Sequence, residues 1–200
     1  MNIELLITKS LSQDERSWTL TSRIGDMLEM AKKRFGEIHS DFFLLGIEFK
    51  DDGPRIQYQN PKYIIIHLTP QSLDNEFIAY YQLSHEVYHL LSPTGIYDPN
   101  NLEEGLATYF SKLYLDSLKK NVFNWENATK ADSRYYNAYL LVDKLLQIDP
   151  DVIKTVREKY PTIKTSHLTI KEFEAVMGNK MPKDTIVELL KPFPTNKNGL

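Results

Sequence analysis

The chain predicts an α+β protein, and two observations carry that expectation. Runs with strand character gather in the first ninety residues, while helical periodicity dominates the remainder. Its 200 residues, 42% of them hydrophobic, are enough to bury a core and suit one domain (residues 1–200) better than several independent ones. We expect two lobes within it: a sheet-containing lobe over residues 1–91 and a helical lobe over residues 92–200.

Asn2 to Thr8 reads as a first strand. Ser12 with Glu15 three residues on has the capping-box pattern, and predicts a helix from about Gln13 to Phe35 that Gly36 ends. Leu20, Ile24, Met27, Leu28 and Ala31 supply its apolar period. Phe42 to Lys50 is the next strand, and Asp51-Asp52-Gly53 carries a hairpin-turn signal. Arg55 to Gln59 alternates polar and apolar residues after Pro54, which suits an edge strand. Tyr63 to Leu68 is nearly unbroken apolar, which suits the sheet interior.

Helices follow. The first should run from Asp74 to about Leu91, where Ser92-Pro93-Thr94-Gly95 stops it. Leu102 to about Lys120 is the second, after the loop Asp98-Pro99-Asn100-Asn101. Asn127 to Ile148 is the third, with Tyr135, Tyr139, Leu140, Val142, Leu145 and Leu146 as its apolar side. Shorter helices are expected over Asp151–Tyr160, Thr169–Met177 (capped by Thr169 with Glu172) and Pro182–Leu190. Lys191 to Leu200 reads as a tail with little to bury.

Charge and composition narrow the partners. With 24 basic and 27 acidic residues the net charge is −3, so no field favours nucleic acid. No run of about 18 apolar residues occurs, so no membrane span is expected. Cysteine is absent, which excludes a disulfide framework, a thiolate metal site and a cysteine nucleophile. The first residues show no signal-peptide pattern, so a cytoplasmic location is the default expectation, with secretion left open. Oligomeric state is not legible.

The chemistry concentrates in His85-Glu86-Val87-Tyr88-His89, a His-Glu-x-x-His motif inside a helical stretch. Two histidines four apart share one helix face and can grip one metal ion. Glu86, turned by about 100°, can reach a water on that ion and act as catalytic base. Zinc suits these donors, one ion per chain, and a carboxylate third ligand keeps a position open for water. Glu104, after a gap of fourteen residues, and Glu103 just before it both offer that carboxylate. On a helical wheel Glu103 falls nearer the apolar arc of Leu102, Leu106, Phe110 and Leu113, so the wheel favours Glu103 and leaves Glu104 open. Candidates for stabilising the transition state are Tyr135, Tyr136 and Tyr139 on the third helix, and His167 beyond it.

The motif followed by Glu103-Glu104-Gly105-Leu106-Ala107-Thr108-Tyr109 resembles the gluzincin metallopeptidases, both thermolysin-like enzymes and the membrane-alanyl-type aminopeptidases. The resemblance covers residues 1–115 in layout and residues 85–89 and 104–109 in motif. It implies a zincin-like fold, with a mixed twisted sheet and the motif helix in an upper lobe above a helical lower lobe. It implies zinc on His85, His89 and Glu104, and Glu86 as general base in hydrolysis of a peptide or protein substrate. It further implies that Arg55–Gln59 binds an extended substrate by strand addition. Three features depart from the family. The gap of fourteen residues between His89 and Glu104 is shorter than in either group. Thr108 stands where thermolysin-like enzymes carry an aspartate that orients a zinc histidine, and the aminopeptidase Gly-x-Met-Glu-Asn stretch is missing. The alternative expectation is a zinc-site regulator or toxin-like protein with narrow or no proteolytic activity.

Overall fold

The computed structural model describes the backbone of residues 9–11, 16–18, 20–38, 42–60, 62–118 and 124–194. Asn2–Thr8 and the Ser12 cap lie outside the described residues. Two short strands, β1 (Lys9–Leu11) and β2 (Arg16–Trp18), pair antiparallel. Helix α1 (Leu20–Phe35) therefore starts later than the expected Gln13, since Arg16–Trp18 is spent in strand pairing, and Ser17 and Trp18 are weak helix formers. Its buried side is Ile24, Met27, Ala31 and Phe35.

A three-stranded sheet follows, built from β3 (Phe43–Phe49), β4 (Arg55–Asn60) and β5 (Tyr63–Leu68). The order is β3-β5-β4, with β3 parallel and β4 antiparallel to β5. β5 is the central strand and β4 an edge, as their sequence patterns predict. The hairpin expected at Asp51-Asp52-Gly53 does not form between β3 and β4. The Gly53 amide closes a turn on the Lys50 carbonyl, and β4 then crosses to the far side of β5. The apolar run Ile64–Ile66 explains this, because a strand buried on both faces takes the middle position.

A 3₁₀ turn (Pro70–Leu73) leads into α2 (Glu76–His89), the motif helix, capped by the Asn75 side chain. Gln82 pins this helix to the exit of β5: its amide oxygen accepts from the Thr69 backbone N–H at 2.9 Å and from Ser72 Oγ at 2.8 Å. α3 (Asn101–Ser117) follows, then α4 (Trp125–Lys130) and α5 (Ser133–Ile148). The single helix expected over Asn127–Ile148 is thus two, because Asp132 accepts from the Arg134 amide and caps a fresh start. Leu140, expected on the apolar side, is exposed; Ala138, Val142, Leu145 and Leu146 are buried instead. α6 (Val152–Lys159), α7 (Ile170–Met177) and α8 (Lys183–Leu190) complete the described chain.

The fold is α+β, with eight α-helices and a mixed three-stranded sheet among the described residues. One buried apolar cluster runs from the sheet (Ile64, Ile66, Leu68) through α2 and α3 (Leu83, Val87, Leu106, Phe110) to α5 and α6 (Val142, Val156). The segment Lys191–Pro194, expected to bury little, is docked: Phe193 is 5% exposed. Among the described residues no helix is long and apolar enough to cross a membrane.

Candidate metal centre

From Gln82 onward α2 is buried except at His85 and His89, whose side chains reach the open side. His85 and His89 side chains are 12% and 15% exposed, whereas Glu86 is buried at 4%. Facing them is the first turn of α3. Asn100 caps that helix, accepting from the Glu103 amide at 2.9 Å and donating its own amide to the Ser166 carbonyl at 3.0 Å. Two consecutive carboxylates, Glu103 and Glu104, are thereby placed at a helix N-terminus, where negative charge is favoured.

The two carboxylates divide the work. Glu104 faces both imidazoles, with His85 Nε2 at 3.1 Å from Oε2 and His89 Nε2 at 3.8 Å from Oε1. One donor atom from each of His85, His89 and Glu104 falls within 4.8 Å of the others, so this group could hold a metal ion. Glu103 takes the opposite side of His89, whose Nδ1–H donates to Oε1 at 3.0 Å. The helical wheel favours Glu103 as the third donor; in the structure Glu104 is the carboxylate grouped with both imidazoles, and Glu103 lies behind one of them. Thr108 turns to its own helix, donating to the Glu104 carbonyl at 2.7 Å. The orienting carboxylate thus comes from the residue before Glu104.

Burial and charge tune the group. Burial opposes a charged His89, but Glu104 and the hydrogen bond to Glu103 outweigh it and push its pKa up to about 9. Glu104 is held below the ordinary carboxylate range, with His89 and His85 overcoming its burial. Glu86 moves the other way. Burial raises its pKa, against the two histidines and the backbone of Ile56. Ile56 and Glu86 line one cavity, so the edge strand β4 lies beside the motif.

The fit to a divalent metal rests on donor chemistry: two imidazoles and one carboxylate, with a hydrogen-bonded carboxylate fixing one ring. Beside the group lies a cavity of about 40 Å³ touching Glu86, His89, Glu104, Ile56 and Tyr58. It adjoins a cleft of about 600 Å³ between β4 and the α5 side, walled by Arg55, Tyr58, Arg134, Tyr135 and Phe193.

Of the four candidate stabilisers, only Tyr135 stands at the imidazoles, its ring centroid 5.6 Å from that of His85. Desolvation, then the Glu104 charge, hold its phenol well above the usual range, so it keeps its proton. Tyr136 turns away to Glu126, at 3.1 Å, and stacks on Tyr139, which in turn packs on Trp125. His167 pairs with Asp98 at 3.1 Å on the cavity rim. Two residues escaped sequence reasoning. Tyr97, in the loop between α2 and α3, lines both the cavity and the cleft, where Tyr135 also stands. Arg134, held by Asp132, acts on Glu104 through its charge. Neither sits in a motif; the brevity of the loop before Glu103 was the one available hint for Tyr97. Compared against protein-family models, curated proteins and solved structures, the chain matches none.

Proposed function

We propose that this chain is a zinc-dependent peptidase with a zincin-like arrangement of the gluzincin kind. The observation that carries the proposal is the convergence of His85, His89 and Glu104 beside buried Glu86, under the free edge of β4. His85 Nε2, His89 Nε2 and a Glu104 oxygen would hold the ion, and three donors leave a position open. Zinc, when bound, supplies Lewis acidity toward the scissile carbonyl and lowers the pKa of a water to about 7.

The remaining roles belong to side chains and backbone. Glu86 accepts a proton from the attacking water and passes it to the leaving amine; its raised pKa suits both transfers near neutrality. Glu103 keeps the His89 ring turned with Nε2 toward Glu104. Tyr135, held protonated, donates to the oxygen that gains charge as the carbonyl becomes tetrahedral. β4 pairs with the substrate backbone as an added strand, with Ile56 and Tyr58 at the cleft. Water is the nucleophile, so no covalent enzyme intermediate forms.

Metal content and one variant test this. Purified protein should carry near one zinc per chain, and Glu86→Gln should keep the zinc while losing hydrolysis of labelled casein. Absence of zinc, or full activity in Glu86→Gln, would overturn the assignment.

A further inference from the structure

The segment after α8 is tied into the site from three directions. The Phe193 amide donates to the Pro99 carbonyl at 2.9 Å, and the Asn101 amide to the Lys191 carbonyl at 3.0 Å. Asn100 and Pro192 form an antiparallel bridge. These bonds fasten Lys191–Pro194 to the loop that launches Glu103 and Glu104. Arg134 Nη1 donates to the Pro194 carbonyl at 2.7 Å. The Phe193 ring, buried, lies 4.8 Å from the Tyr135 ring, with the Arg134 guanidinium 5.7 Å from its centroid. Phe193 and Pro194 both wall the 600 Å³ cleft.

We propose that this strap is a working part of the cleft and that Phe193 is a positioning residue for Tyr135. Tyr135 sits in the first turn of α5 and meets the His85 ring on one side. Phe193 supports it on another, so the phenol has a defined place above the imidazoles. A tyrosine at the wall of a broad cleft would otherwise share several rotamers, and misplacement of a stabilising donor by about 1 Å costs on the order of 100-fold in rate. The inference rests on the peptidase reading for its catalytic meaning, but the Phe193–Tyr135 coupling stands by itself.

The test uses the full chain with zinc, comparing Phe193→Ala, Phe193→Leu, Tyr135→Phe and the Phe193→Ala/Tyr135→Phe double variant. Zinc stoichiometry and the absorption spectrum of the cobalt-substituted protein should be unchanged throughout. With ¹³Cζ-labelled tyrosine, the resonance that vanishes in Tyr135→Phe should shift in Phe193→Ala and largely return in Phe193→Leu. On labelled casein, Phe193→Ala should lower kcat about 10- to 100-fold with little change in KM, yet cost nothing further in the Tyr135→Phe background. An unmoved Tyr135 resonance, or an equal loss in both backgrounds, would overturn the proposal. If the unsubstituted protein binds zinc but leaves casein intact, the peptidase reading suffers, and the Tyr135 resonance still decides the role of the strap. Should Phe193→Ala fail to fold, Phe193→Val, which also removes the ring that meets Tyr135, takes its place in the comparison.

Discussion

His89 carries a carboxylate on each side of its ring, Glu103 at Nδ1 and Glu104 at Nε2. Removing each should therefore have a different result. Glu103→Leu should weaken zinc binding about 10- to 100-fold, while Glu103→Gln stays close to the parent because an amide oxygen still accepts from Nδ1–H. Glu104→Leu, which removes a proposed ligand, should lose more than either; competition with a chromogenic chelator measures all three. The same ring sets a pH dependence. With its pKa at about 9, His89 is protonated at neutral pH, and a metal must displace that proton. Apparent zinc affinity should rise by about tenfold per pH unit toward pH 9. The chelated protein should show the opposite trend. A folded-state pKa raised above the ordinary 6.5 contributes stability in full below that value and loses it as pH climbs through about 9. Urea midpoints in chelator should fall across that window.

Among the elements, the contact between α3 and α5 decides whether the two halves of the site meet. Gly105, next to Glu104, faces α5 so closely that an added Cβ would lie 2.4 Å from the Ala138 carbonyl oxygen and 2.6 Å from Val142 Cγ2. The nearest of these atoms is backbone, which cannot swing aside as a flexible side chain would. Gly105→Ala should push the helices apart and destabilise the fold by about 1–3 kcal/mol, read from urea unfolding. It should also lower the proposed activity, since Tyr135 rides on α5 and the proposed ligand Glu104 on α3. Glycine therefore belongs in Glu103-Glu104-Gly105 for a packing reason, one that the order of residues alone does not reveal.

Across the whole molecule, Arg157 of α6 joins regions distant in the chain. It is 3% exposed, and its guanidinium donates to the Leu91 carbonyl at 3.1 Å and to the carbonyl of Glu37. Leu91 lies just past α2, so the cation also meets the negative end of the motif helix. Among the described residues no carboxylate is bonded to it; carbonyls and Thr165 Oγ1 supply its acceptors. Arg157→Leu strands those carbonyls and should cost about 2–4 kcal/mol. The denaturant midpoint should fall, with zinc stoichiometry preserved at low denaturant.

Much of this was legible before any coordinates. The His-Glu-x-x-His spacing, the edge character of Arg55–Gln59 and the interior character of Tyr63–Leu68 are periodic signals, and period translates directly into which side chains share a face. The capping box at Thr169 is equally local, and it formed as read. Other features depended on contacts between residues far apart in sequence. Which of two adjacent glutamates faces both imidazoles turned on the rotation of α3 against α2. Which of three tyrosines reaches the site turned on the capped restart at Asp132, and on a strap, Lys191–Pro194, that looked inert as sequence. Periodicity settles a residue's neighbours on its own element. Side chains that converge from separate elements are chosen by packing, and that choice exists only once the chain has folded.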